Sequence, residues 1–503
     1  MIEGLIGGFG DVFQPWNLLA VFAGTALGIL VGALPGLSSP MAIVILLPIT
    51  YSMEALPALL VMIGVYVGTK LGGSYSAILL RTPGTPAAAC TALDGHPMAE
   101  QGKAGLALGY ATLGSTFGGL FGWVIAVTFI PLLAKVALQS SNADIALVGV
   151  LGLLMVSSFV RGSMLRGLIG VLLGLLISTV GLDPVDSALR YTFGSVDLMS
   201  GVPFAAALTG FFGIAVVFSD LKLVGQRSER IADEVNLALP SFADLVRRWR
   251  AIVIGSLFGT GIGAVPGVGA EGATWLAYAA VKRQSKNPEA FGKGEPDGVV
   301  TPESTNNATT GGTMVPMLTL GIPGDGSTAI MLGALVLHGI EPGVMLFQHS
   351  PDLVYGILAG LLVATIFMFL ISWKAIQFFI MVLQQDRAWL FPFVVVLATI
   401  GAFATVNNVY AIYIAIAFGV VGYILESCRF PVVTVVLGII LGPIIEANVR
   451  LALVLSRNDW TTFIDTWPRQ IMVALIVIVL GWEIYSGIRD TARGRRSAVG
   501  IAD

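Results

Sequence analysis

The stretch GALPGLSSP, residues 32–40, lies in a run without a charged side chain from residue 12 to residue 53. That run is long and apolar enough to cross a bilayer, which takes about 20 residues of helix. Pro35-Gly36 interrupts it. Proline lacks the amide hydrogen and crowds the preceding turn, and glycine is a poor helix former. The same break returns as GAVPGV, residues 263–268, around Pro266-Gly267. A broken helix inside hydrocarbon leaves peptide groups unpaired at a cost of several kcal/mol each. It survives only where it is buried in protein or lines a cavity.

Composition sets the class. The chain of 503 residues is 56% hydrophobic and 11% charged, where a soluble domain carries about 25% charged residues. Its mean hydropathy is +0.87. Charge-free runs at residues 104–134, 198–219, 251–270, 353–373 and 388–425 are of spanning length, and shorter ones at 145–160, 167–182 and 430–445 suit tilted or flanked spans. The expectation is an all-α polytopic membrane protein with about 10–12 membrane segments. The alternating segments of a membrane β-barrel are absent.

Lys222, Arg227, Arg230, Arg247, Arg248 and Arg250 fall in one central loop, Lys282, Arg283, Lys286 and Lys293 in the next, and Arg489, Arg493, Arg495 and Arg496 in the tail. They make up more than half of the 27 basic residues. These segments read as cytoplasmic and the N-terminus, with no Lys or Arg before Lys70 and no signal-peptide pattern, as outside. Cys90 and Cys428, the only cysteines, lie among apolar neighbours and read as packing residues without a disulfide.

Gly24, Gly28, Gly32, Pro35 and Gly36 recur at one constant offset as Gly255, Gly259, Gly263, Pro266 and Gly267. Glycines four apart form a smooth stripe for close helix approach; Gly114, Gly118 and Gly122 form a third stripe. A second pair of blocks, LGGSYSAILLRTPGTP (71–86) and TGGTMVPMLTLGIPGDG (310–326), runs from Gly-Gly-Ser/Thr to Pro83-Gly84 and Pro323-Gly324. The chain therefore reads as two repeated halves, residues 1–240 and residues 241–503, the latter including a basic C-terminal tail. Secondary transporters favour inverted repeats, and the halves are read that way. Around Pro266-Gly267 the basic ends at 247–250 and 282–286 flank two arms too short to span. The segment is expected to enter, turn and return as a re-entrant hairpin.

Broken helix ends offer N–H dipoles to an anion and unwound carbonyls to a cation such as Na⁺. The candidate substrate lining is Ser38, Ser39, Lys70, Ser74, Arg81, Thr82, Gly84, Thr85, Asn306, Asn307, Thr309, Thr310, Gly312 and Thr313. Hydroxyls and amides grip a carboxylate there, and Lys70 and Arg81 neutralise it. The candidate cation lining is Pro35, Gly36, Pro266, Gly267, Gly324, Asp325, Gly326 and Ser327. Glu303 reads as a helix N-terminal charge and Asp94, in LDGHPM, as a turn residue.

No metal-ligand spacing joins His96, His338 and His349. No nucleophile elbow or Walker loop is present, and no cofactor and no nucleic-acid partner is implied. Two rivals to a transporter remain. One is an anion channel, since re-entrant segments also build selectivity filters. The other is an enzyme using Asp325 or Glu303, which lacks a paired group.

The block GVVTPESTNNATTGGTMVPMLTLGIPGDGSTAIMLGALVLHGIEPG (298–343) resembles the large membrane subunit of tripartite tricarboxylate transporters, the TctA family. So do GALPGL (32–37), GGSYSAILLRTPGTPAAACTALDGHPMAEQGKAG (72–105) and GAVPGVGAEGA (263–273), and the likeness covers nearly the whole chain. The resemblance implies a secondary transporter importing citrate or a related tri- or dicarboxylate with an ion gradient, usually Na⁺. It also implies a TctB-type small membrane subunit, a TctC-type periplasmic solute-binding protein and a place in the bacterial inner membrane. The chain departs from the family pattern at Ser38-Ser39, Thr69-Lys70-Leu71, Arg81 and Val344. The added charges of Lys70 and Arg81 either suit a more acidic solute or lie outside the site.

Overall fold

The computed structural model describes residues 1–34, 37–159, 164–183, 188–220, 237–383 and 390–499. Helix dominates; the β structure among the described residues is one antiparallel pair, Gly181–Leu182 with Leu189–Arg190. The protein is an all-α, multi-pass membrane protein. Among the described residues six helices are long and apolar enough to cross a membrane: Pro15–Ala33, Ala55–Leu80, Ala92–Ala137, Pro351–Phe379, Tyr410–Ser427 and Val432–Leu455. Other apolar helices, such as Ser39–Tyr51 and Gly326–Leu337, are too short to cross alone.

Each half contains a hairpin laid along a long helix. Pro15–Ala33 starts with proline at its first position, where the missing amide hydrogen costs nothing. It runs beside Ala55–Leu80 in the same direction: Gly24, Gly28 and Gly32 face the backbone of Val61, Val65 and Thr69. Ser39–Tyr51 returns between them, its first turn beside Thr69, whose hydroxyl donates to Ser39 Oγ at 2.6 Å. In the second half Trp249–Gly263 runs beside Asp297–Leu320, with Gly255, Gly259 and Gly263 facing Thr301, Thr305 and Thr309. Gly269–Gln284 then returns.

Both outer ends of this second hairpin reach one face. Arg248 pairs with Asp297 at 2.8 Å, and Tyr278 bonds Asp94, which accepts from the amide of Gly292. The arms are 15 and 16 residues long, about 22–24 Å as helix. The segment is thus a re-entrant hairpin.

The two long helices cross antiparallel at the centre. Tyr66 meets Thr313, Lys70 meets Asn306 and Ser74 meets Glu303, so one number rises as the other falls. A glycine-lined helix from each half then packs on the long helix of the other. Gly114, Gly118 and Gly122 of Ala104–Ala137 lie on Val300, Ser304 and Ala308, while Gly356 and Gly360 lie on Leu56 and Leu60.

Two expectations are corrected. Asp94 is not a turn residue. It is fully buried on the helix Ala92–Met98 and its carboxylate accepts from the amides of Gly292, Gly294 and Glu295 and from Tyr278. A short polar side chain tying down a glycine-rich loop looks, in sequence, like one that makes a turn. Cys428 is exposed, whereas Cys90 is buried; Cys428 caps the C-terminal end of Tyr410–Ser427, where the helix leaves its packing.

Close glycine contact makes a direct prediction. A Cβ at Gly118 would sit 2.1 Å from the Ser304 carbonyl oxygen, whereas one at Gly261 would meet nothing within 4 Å. Gly118→Ala should destabilise the protein by at least the ~1–3 kcal/mol of ordinary overpacking. Gly261→Ala should be neutral or stabilising by up to about 1 kcal/mol. Melting temperatures of the two variants in detergent, compared with the parent, check both.

Candidate functional site

Gly267 and Pro323, from two of the breaks, line a cavity of about 690 Å³ together with Ser38 and Thr85. Of the residues singled out in the sequence, Ser38, Ser39, Lys70, Thr85, Gly267, Asp325, Gly326 and Ser327 line it. Glu271, Phe212, Glu426 and Arg429 complete the polar and aromatic contacts.

Three helices that follow Pro-Gly pairs begin at this cavity, Ser39–Tyr51, Gly269–Gln284 and Gly326–Leu337, as does Val432–Leu455. Their first amides have no partner within the helix and carry the positive end of the dipole. In two, part of that demand is met by a cap. Ser38 Oγ accepts from the Met41 amide, and Asp325 forms a reciprocal capping box with Thr328. Gly269–Gln284 follows Val268 and has no side-chain cap, so its first N–H groups remain available to a ligand. A site built this way favours an anion.

The breaks are also tied to each other. The Gly267 amide donates to the Gly324 carbonyl at 2.9 Å, which joins Pro266-Gly267 to Pro323-Gly324. Gly267 adopts φ 87°, a left-handed conformation that only glycine takes without strain. The Gly84 amide donates to the Gly73 carbonyl at 3.1 Å. Gly84 and Gly324 occupy like places: a Cβ on either would press on the carbonyl of Gly32 or Gly263, the last stripe glycine of its own half.

Asp325 is the hub. Tyr66 donates its hydroxyl to Asp325 Oδ2 at 2.6 Å and lies 3.0 Å from Thr313 Oγ1. Lys70 Nζ stands 3.7 Å from the same carboxylate and 4.8 Å from the centre of the Tyr66 ring. Lys70 is only 5% exposed, and a lysine so deep requires such partners. Sequence reasoning missed Tyr66. The available signal was a tyrosine within an apolar helix, since a buried phenol must find a hydrogen-bond partner.

Other candidates stand elsewhere. Arg81 and Thr82 lie at the C-terminal end of Ala55–Leu80, exposed; Arg81 has φ 53° and lines a separate cavity of about 710 Å³ with His96 and Lys293. Ser74 is buried and donates to Glu303. Glu303, far from capping a helix end, sits fully buried in the seventh position of Asp297–Leu320.

Asn306, Asn307, Thr309, Thr310, Gly312 and Thr313 are buried in that helix; the Thr309 and Thr310 hydroxyls bond carbonyls of their own helix, and Asn306 Nδ2 bonds the Lys70 carbonyl. Pro266 is buried at the hairpin tip. Pro35 and Gly36 lie outside the described residues.

Helices interrupted near an antiparallel crossing, with their N-termini gathered on one cavity, define a multi-pass membrane transport protein of the broken-helix class. Residues 18–437 match the model described as the "Tripartite tricarboxylate transporter TctA family", and the chain belongs to that family as a large membrane subunit. Across its full length the chain is 36% identical to 99% of an Agrobacterium vitis protein named "Uncharacterized 52.8 kDa protein in TAR-I ttuC' 3'region". It is 35% identical over 232 residues, 46% of its length, to 96% of a second Agrobacterium vitis protein, "Uncharacterized protein in TAR-II ttuC' 3'region". No solved structure matches the chain. The family implies association with TctB and TctC components.

The Asp325 hub makes a prediction about two tyrosines. Tyr66→Phe removes a buried bond to a charged acceptor and should cost about 1.5–3 kcal/mol. The Tyr75 hydroxyl is buried near the Ser372 and Thr112 hydroxyls but makes no well-formed hydrogen bond among the described residues. Tyr75→Phe should therefore be neutral or slightly stabilising. Parallel thermal melts of the two variants distinguish them.

Proposed function

We propose that this subunit imports a di- or tricarboxylate such as citrate by symport with Na⁺, and that the central cavity is the shared site. The observation that carries this reading is the meeting of three helix N-termini on one cavity beside a buried lysine. A carboxylate entering the cavity replaces Asp325 as the partner of Lys70 and takes the amides of Gly269–Gln284. Ser38, Ser39, Thr85 and Ser327 supply hydroxyls to a second carboxylate. Ser74 and the polar face of Asn306–Thr313 form the wall behind them. The cation is held by carbonyls at the joined breaks, Pro266-Gly267 and Gly324–Ser327, with Asp325 as its counter-charge once Lys70 has turned to the solute. In the first half, Pro35-Gly36 has the matching role.

The same reading treats residues 1–240 and 241–503 as inverted repeats. The antiparallel crossing of Ala55–Leu80 and Asp297–Leu320, and the like hairpins beside them, support it. The face holding Arg248, Lys282, Arg283 and Lys293 is cytoplasmic, in the bacterial inner membrane. A TctB-type small membrane subunit accompanies the chain, and a TctC-type periplasmic binding protein delivers the solute. The process is transport without covalent chemistry. An uncoupled anion channel is the alternative, and it fails to accumulate solute against a gradient.

Uptake of labelled citrate and a panel of dicarboxylates into proteoliposomes carrying the three components tests the proposal. Replacing Na⁺ with choline should abolish accumulation; full accumulation in choline removes Na⁺ coupling. Loss of a charge-assisted contact is worth about 1.5–3 kcal/mol. Lys70→Gln should therefore raise KM roughly 10- to 150-fold while the variant still reaches the membrane in normal amount. An unchanged KM places the solute elsewhere.

A further inference from the structure

Away from the cavity lining, one buried acid has no role in the scheme above. Glu303 is fully buried, and three hydroxyls from three separate segments surround its carboxyl. Ser74, on Ala55–Leu80, and Thr91, just ahead of Ala92–Met98, both meet Oε1, the latter at 2.5 Å. Ser115, on Ala104–Ala137, donates to Oε2 at 2.9 Å.

No ion pair to Glu303 exists among the described residues. The titratable groups facing it are Tyr75 from its crossing partner and Cys90 from the segment leading to Ala92–Met98. Asp94 and Tyr278 are bound to one another, and Asp297, at the start of its own helix, is held by Arg248. Trp249–Gly263 carries no ionisable side chain beyond Arg250 at its outer end, and Ala104–Ala137 presents Ser115 to the carboxyl. No basic group compensates the carboxyl. A lone carboxylate in such a place costs several kcal/mol, a cost that a bound proton or cation removes.

The hydroxyl oxygens stand at hydrogen-bond distance from the carboxyl oxygens, two of them on one oxygen. An alkali cation would have to push them apart, whereas a proton fits the cage as it stands. A path to the cavity is also marked. Thr85 Oγ1 is buried without a partner, lines the cavity, and lies against Gly73, the residue before Ser74. On the other side both amide atoms of Asn307, one turn beyond Glu303, are buried without partners. Buried polar groups left in this way solvate a passing charge.

We propose that Glu303 is a proton-carrying site of the transport cycle, loaded from the side of the central cavity through Ser74. A proton from cavity solvent binds the Ser74 oxygen as the original Ser74 O–H bond breaks and a new O–H bond forms on Glu303 Oε1. Ser74 ends as it began, and the carboxyl is neutral. Release reverses the step. The inference rests on the import reading and adds a second coupling ion to it.

The test uses the full chain with its partner components in proteoliposomes containing trapped pyranine, in Na⁺ medium throughout. Adding citrate outside should acidify the lumen, and an inward proton gradient should raise accumulation. Glu303→Gln, which keeps the shape of the neutral acid, should retain citrate counterflow while lumen acidification and gradient stimulation fall to background. Acidification at the parent rate in Glu303→Gln overturns the proposal. So does the absence of acidification in the parent chain when counterflow is intact. Absence of counterflow in the parent overturns the import reading together with it. If Glu303→Gln does not assemble, Ser115→Ala keeps the carboxyl and loosens the cage. It should slow acidification severalfold at unchanged counterflow, and unchanged acidification there counts equally against the proposal.

Discussion

The amide of Gly267 donates to the carbonyl of Gly324, and much of the structure follows from the need for that bond. Hydrocarbon offers no partner to a peptide group released by a broken helix. The two breaks of the second half solve this by meeting. The first half shows the related bond from Gly84 to Gly73 within its own second block. Meeting requires each hairpin tip to come within backbone distance of a long helix and of the second Pro-Gly turn. Only glycine permits this approach, which is why the stripes at Gly24, Gly28, Gly32 and Gly255, Gly259, Gly263 end at the breaks rather than anywhere else along the chain.

Placing breaks at the centre gives the centre an unusual helix. Asp297–Leu320 is rich in Thr, Ser and Asn, yet nearly all of it is buried. Its hydroxyls return to the carbonyls one turn back, as Thr305 does to Thr301 and Thr313 to Thr309. They therefore need no outside partner and can pack as small side chains. Three glycine-bearing helices can close around it because such a surface is smooth. One hydroxyl, that of Thr301, is buried without a hydrogen bond among the described residues. The larger exceptions are Asn306, Asn307 and Glu303, whose polar ends exceed what one helix can satisfy and which occur where Ala55–Leu80 crosses.

Several parts of this arrangement were legible in the sequence because they depend on backbone rules. Pro35-Gly36 and Pro266-Gly267 announce breaks, the glycine spacing announces contact faces, and the basic residues at 247–250 and 282–286 announce a hairpin. Side-chain partners across the crossing were not legible. Glu303 looks like a helix N-terminal charge when only its own segment is read, since Ser74, Thr91 and Ser115 come from far away in the chain. Asp94 has the same difficulty. Arg81 was drawn to the site by its nearness in sequence to Pro83-Gly84, but the left-handed turn at Arg81 carries it out to a different cavity. The hydroxyls of Thr309 and Thr310 announce polarity without revealing that their own helix already uses them.

The antiparallel crossing also limits what can move. Its rungs, Tyr66 to Thr313, Lys70 to Asn306 and Ser74 to Glu303, lie along one face of each long helix. Sliding one helix past the other by a single turn, about 5.4 Å, would break every rung and expose the Lys70–Asp325 pair to mismatched neighbours. The glycine contacts extend this block to Pro15–Ala33, Trp249–Gly263 and Ala104–Ala137, where a Cβ-sized gap does not exist. The opposite wall of the cavity is made differently. Val156, Phe212, Phe430, Val433 and Leu437 give it an apolar lining, with Glu426 and Arg429 beside them. Separation along the crossing leaves buried polar groups unpaired, a cost that apolar contact does not carry. The crossing therefore holds Lys70, Asp325 and Glu303 in one glycine-locked block that resists internal sliding more strongly than the apolar wall does.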